Sequence, residues 1–193
     1  MAVSVDKKLF STLKASQLAY AGKRREVIKQ SGDAQHHAKR AIFALQRGDA
    51  KEAGERLESA RKIFTGLEKQ YKKDPGLFSE GSYQAGLEEF VEAELFRQFI
   101  ATKKIGAIKG LNISNDIYVA GLCDVPGELQ RYAIKAATAR DFKLAEDCAI
   151  AATLILNQLV EFNLTSYLRT KFDQAKQAMH RLEQVVYESS LRN

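Results

Sequence analysis

Apolar residues recur at intervals of three and four along nearly the whole chain, and no stretch alternates apolar with polar positions. That period belongs to helices; strands need a period of two. Only 2 prolines, Pro75 and Pro126, stand against helical continuity. No Gly-rich or Ser-rich linker divides the text, and 193 residues suffice for one sizeable core. The pattern predicts an all-α fold: one domain over residues 1–193, a bundle of about six to seven helices. Local punctuation sets the expected boundaries. A first helix runs from about Asp6 to Arg47, with Leu9, Leu13, Leu18, Val27, Ile28, Ile42, Phe43 and Leu45 in helical register. Ser31-Gly32-Asp33 marks a bend or break within it. Gly48-Asp49 closes it and caps a second helix, Ala50 to Tyr71. A turn at Lys72–Gly76 leads to a third helix, about Ser79 to Lys103, and a loop covers Ile105 to Ile113. A fourth helix starts at Ser114 or Asp116, is kinked by Pro126 and ends by Arg140. A fifth spans Phe142 to Phe162, and the last runs from Ser166 to about Leu191.

Four carboxylates stand out on this frame. Glu89 and Glu92 are spaced i,i+3 on the third helix; Asp124 and Glu128 are spaced i,i+4 on the fourth. Each spacing places both acids on one helix face. Acids so spaced also line solvated faces. Here, however, Phe90, Val91, Leu95, Phe96 and Phe99 flank the first pair, and Tyr118, Val119, Leu122 and Cys123 precede Asp124. Carboxylates in such surroundings are costly to bury unpaired. Four converging acids would repel one another unless a cation sat between them, and Mg²⁺ or Mn²⁺ takes oxygen ligands of this kind. The reading is a metal-dependent hydrolase acting on phosphate, with Glu89, Glu92, Asp124 and Glu128 as metal ligands and catalytic acids. A di-iron bundle is disfavoured, because no Glu-x-x-His is present.

Charge points to an anionic partner. There are 30 Lys and Arg against 24 Asp and Glu, a net charge of +6. Arg25, Lys29, His36, Arg40 and Arg47 fall within roughly a third of the circumference of an ideal helix, with Lys39 beside them. Acids are sparse there, unlike on a mixed-sign solvated face. Such a stripe can follow a phosphate backbone, so these six residues are the candidate nucleic-acid-binding set. The cysteines, Cys123 and Cys148, lie in apolar helical text and read as buried free thiols. The N-terminal residues carry no secretory signal, and no apolar run approaches the length of a membrane span. A cytoplasmic protein with no membrane partner is the expectation.

Several segments resemble the translin and translin-associated factor X (TRAX) family. Lys39-Arg40-Ala-Ile-Phe-Ala-Leu-Gln-Arg47 resembles the first-helix segment of TRAX. Glu89-Phe-Val-Glu92-Ala, continued by Phe96-Arg-Gln-Phe99-Ile100, resembles its EYVEA segment and the residues just after it. The stretch from Asp116 through Asp124, Gly127, Glu128 and Leu129 to Arg131 resembles its DYLLG…GEL…R helix. The tail Leu182-Glu183-Gln-Val185-Val186-Tyr187, with Leu191 and Arg192, resembles the translin C-terminal helix.

The resemblance implies an all-α fold and a homo-oligomeric, octameric shell that binds RNA or single-stranded DNA. In the family, TRAX subunits carry the ribonuclease site and translin subunits are silent. The TRAX acids fall on Glu89, Glu92, Asp124 and Glu128, which implies the catalytic branch. The short loop between the third and fourth helices, and the absence of a long basic N-terminal extension, resemble the compact archaeal single-component form. The expected function is therefore a Mg²⁺- or Mn²⁺-dependent endoribonuclease. Two alternatives stand beside it. One is a non-catalytic RNA- or single-stranded-DNA-binding shell. The other is an all-α nucleotide pyrophosphatase, which also holds Mg²⁺ with Glu-x-x-Glu. The last helix, with Met179, Leu182, Val185, Val186, Tyr187 and Leu191, is the expected contact between copies.

Overall fold

The computed structural model describes residues 4–191. The expected motif residue Arg192 lies outside them. Six α-helices occur in order: α1 Lys7–Arg47, α2 Ala50–Gln70, α3 Gly81–Thr102, α4 Asn115–Thr138, α5 Phe142–Leu159 and α6 Ser166–Ser190. A single 3-10 turn, Pro75–Ser79, lies between α2 and α3. No strand occurs among the described residues. Four of the six N-termini carry a side-chain cap; those of α3 and α6 do not. Asp6, Asp49, Ser114 and Asp141 each accept hydrogen bonds from first-turn backbone N–H groups. Gly48 ends α1 at φ 84°, a left-handed position that glycine adopts without strain.

The helices form two groups that share the central pair α3 and α4. α1 packs on α2 and α3, while α4 packs on α3, α5 and α6. α3 is buried on most of its sides, and Phe90, Val91, Ala93, Leu95, Phe96 and Phe99 are all enclosed. Each buried phenylalanine contributes roughly 1.5–3 kcal/mol. Phe64 of α2 meets Phe90 and Tyr83 edge-on, tying α2 to α3.

Two expectations are corrected here. Ser31-Gly32-Asp33 does not break α1, which runs unbroken for 41 residues. Ser31 is fully buried, and its carbonyl faces Gly86 of α3, where an added Cβ would come within 2.8 Å. The small residues are a helix-crossing point, not a stop. Pro126 lies inside α4 as expected, and the helix continues from Asn115 to Thr138 with the proline buried. On α6, Leu182 is fully buried and Met179 packs against the core, so both serve this chain's own interior. Only Tyr187 and Leu191 of that expected contact surface are exposed. At the other end, Leu9, Leu13 and Leu18 keep helical register on α1 but stand exposed beyond the bundle. Cys123 and Cys148 are free and buried, and burial pushes both thiols up to about 12. No helix among the described residues is long and apolar enough to cross a membrane.

Candidate active site on the α3–α4 seam

Two close helix crossings place the acids. At Gly121 a Cβ would fall 2.8 Å from the Glu88 carbonyl and 2.7 Å from Val91 Cγ1, so α4 can approach α3 this closely only with glycine there. One turn on, Asp124 lies beside the Glu89–Glu92 face. The Gly86 crossing does the same for α1 and brings Gln35 and Lys39 to Glu89.

Burial raises all three acids, and the charge of Asp124 adds to the shift at Glu89 and Glu92. Glu92 is 8% exposed, and among the described residues no hydrogen bond or ion pair reaches its carboxyl. Burial, and then the charges of Asp124 and Glu89, push it up to about 8. Glu89 is also raised, by burial first, with Lys39 opposing at 3.8 Å and Asp124 reinforcing. Asp124 is raised by burial, against a hydrogen bond from Lys171. That lysine, on α6, is absent from the residues that the sequence singles out. Its Nζ lies 2.5 Å from Asp124 Oδ2 and 2.7 Å from Glu88 Oε1, and its side chain is largely buried. Burial lowers the Lys171 pKa, but hydrogen bonds to Asp124 and Glu88 outweigh it and the net shift is upward. Tyr167, one turn before Lys171, donates its hydroxyl to Glu88 at 2.8 Å. Glu88, Lys171 and Tyr167 thus belong to the site. Glu88 adjoins the Glu89–Glu92 motif, but nothing local links Asp124 to a lysine 47 residues away.

Glu128 sits in a different network. It is 4% exposed, accepts a hydrogen bond from Gln46 Nε2 at 2.9 Å and pairs with Arg131. Gln46 also donates to the Glu128 carbonyl at 3.0 Å. Its carboxylate is therefore satisfied by α1 and by its own helix. Arg131 is the bridge between the networks, because its charge also lowers the Glu92 pKa. The expected convergence of four acids is thus three acids and a separately paired fourth.

The donor chemistry fits a hard cation: carboxylate oxygens from two helices, mutually repelling, one of them without a partner. Among the described residues no three His, Cys, Asp or Glu side chains stand close enough to share one ion. Side-chain rotation at Glu89 and Glu92, and release of Asp124 by Lys171, would be needed to close such a set.

The basic stripe on α1 is exposed but not uniform. Arg25, Lys29, His36 and Arg40 face solvent. Lys39 leans to Glu89, and Arg47 pairs with Glu52 at 2.8 Å. Lys39 therefore joins the stripe to the acids. His37 points the other way: its Nδ1 is buried without a partner, and burial, with Arg56 nearby, lowers its pKa.

The Translin family model matches residues 22–193. Among solved structures, the chain is similar to apo-NeC3PO, at 22% identity and TM-score 0.86, over 97% of this chain and 100% of that one. It is similar to AfC3PO at 25% identity and TM-score 0.85, over 96% and 98% of the two chains. AfC3PO in complex with duplex RNA superposes with TM-score 0.84 at 22% identity, over 95% and 97%. A search of curated proteins gives no match.

Proposed function

The chain belongs to the translin family, and from that premise we propose that it is a metal-dependent endoribonuclease working within a homo-oligomeric shell. One observation carries the reading: Glu92 is buried without a partner beside Glu89 and Asp124, an arrangement that costs stability and suits a bound cation. The similarity to a C3PO that is described with duplex RNA supports RNA as the polymer.

Glu89, Glu92 and Asp124 would hold Mg²⁺ or Mn²⁺. When bound there, such an ion supplies Lewis-acid polarisation of the scissile phosphate and a more acidic water. The chain's own groups do the rest. Arg25, Lys29, His36 and Arg40 attract the phosphate backbone along α1, and Lys39 delivers it to the acids. Lys171 offsets the charge of Asp124 and Glu88, so a polyanion is not repelled from the seam. Glu128 positions Arg131 and ties α4 to Gln46 of α1. No base-reading motif accompanies the stripe, so backbone contacts dominate affinity.

Labelled single-stranded RNA and, separately, deoxynucleoside triphosphates, each with Mg²⁺ or EDTA, test this. The expected result is internal RNA cleavage that needs Mg²⁺ and falls roughly a hundredfold or more in Asp124→Asn, with RNA binding retained. Hydrolysis of the triphosphates alone would favour the pyrophosphatase. Binding without cleavage would favour a silent translin-like shell. Light scattering against the 21.6 kDa monomer gives the oligomer size; an octamer is the expected assembly.

A further inference from the structure

We propose that the cleft between α4 and the α5–α6 connection is a nucleobase subsite. It takes one unstacked base of the RNA strand whose backbone passes the carboxylates. This rests on the reading of the chain as an RNA-binding protein.

The cleft encloses about 550 Å³ and is lined by Gln84, Glu88, Asp116, Phe162, Asn163 and Tyr167, among others. It opens directly beside the acids. Tyr167 on its wall bonds Glu88 at 2.8 Å, Glu88 meets Lys171 at 2.7 Å, and Lys171 meets Asp124 at 2.5 Å. A nucleotide whose phosphate lies at the seam therefore has its base within reach of this wall.

The lining selects the chemistry. None of the lining residues is basic and two are carboxylates, so a phosphate is repelled. Phe162 and Tyr167 are 51% and 57% exposed, large for aromatic side chains on the wall of a cleft. Aromatic faces are the usual platform for unstacked bases. Glu88 already accepts from Tyr167 and Lys171, whereas Asp116, in the first turn of α4, stays exposed as an acceptor. A carboxylate there accepts from an exocyclic amino group, as on adenine, cytosine or guanine, and finds none on uracil. The occupant is a flat, uncharged heteroaromatic ring with an amino edge.

The test uses a short single-stranded RNA with one 2-aminopurine placed at successive positions. It is titrated into the full-length protein and into Tyr167→Ala, Phe162→Ala and Tyr167→Phe, with light scattering of each. In the wild type, fluorescence should be quenched at one register of the strand. The two alanine variants should lose that quenching and bind roughly tenfold more weakly, with an unchanged salt slope, because no phosphate contact is lost. Tyr167→Phe keeps the ring and should keep the quenching, which separates stacking from the bond to Glu88. Wild-type binding with no quenched position, or quenching that survives in both alanine variants, overturns the subsite while leaving RNA binding intact. Alanine variants that change the assembly size but not the quenching identify a contact between copies and also overturn it. No binding of any RNA by the wild type sinks the RNA reading itself, and the subsite with it.

Discussion

Glu92 and Glu94 lie half a turn apart on α3 with nearly equal exposure, 8% and 7%, yet they meet opposite surroundings. Glu94 is clamped by Arg97 through two hydrogen bonds of 2.6 and 3.0 Å. Glu128, across the seam, is held by Arg131 and Gln46. Glu92 instead faces two further acids, and burial and those charges push it up to about 8. Where the bundle merely has to bury a carboxylate, it supplies a guanidinium in the same helix. The seam departs from that rule, and an interior carboxyl that the fold leaves without a counter-charge is a mark of function rather than of stability.

The comparison can be broken first by pH. Glu92 has a folded pKa raised to about 8 above the ordinary 4.5, so between those values the folded chain holds a proton that the unfolded chain has lost. Its contribution is fully present below about 4.5 and is lost as pH rises through 8. Glu89 and Asp124 are raised too and act with the same sign. Stability measured by urea unfolding in EDTA should therefore fall between pH 5 and 8 by an amount on the order of a few kcal/mol. Glu92→Gln should flatten that slope and be no less stable than wild type at pH 8. A wild-type curve that rises across this window would contradict the assignment.

The paired side of the comparison predicts the reverse. Arg97→Ala leaves Glu94 buried without its counter-charge and should cost roughly 1–3 kcal/mol, discounted because Arg97 is itself partly exposed. Denaturant unfolding checks this, and an unchanged midpoint would mean that the pairing contributes little. Gly121→Ala should cost a similar amount, since its methyl would press on the Glu88 carbonyl and Val91. A smaller effect is expected on the stripe. Reversing Lys39 and Arg40 to Glu should weaken RNA binding for all sequences and flatten the slope of log affinity against log salt by about 1–2. An unaltered slope would place the RNA elsewhere.

The same contrast explains how much a single sequence reveals. Periodicity, caps and two prolines are local, and they account closely for the six helices. Ser31-Gly32-Asp33 misleads because small residues that signal a turn also let α3 cross at Gly86, and only the crossing tells them apart. Glu89, Glu92 and Asp124 are visible as helix-spaced acids in apolar text. The pairing of each acid is not. Glu128 takes its partner from Gln46, 82 positions away, and Asp124 takes Lys171 from α6. Four acids look alike along the chain, and tertiary contacts make three of them a cluster and the fourth a tie between helices.

The central claim is that Glu92, which the fold leaves unpaired in the seam, is functional, and that Glu94, clamped by Arg97, is structural. Cleavage of labelled single-stranded RNA in Mg²⁺ by Glu92→Gln and by Glu94→Gln, both checked for folding, tests it most directly. The account predicts that Glu92→Gln loses roughly two orders of magnitude or more in rate, while Glu94→Gln stays within a few-fold of wild type. Wild-type cleavage by Glu92→Gln would contradict it.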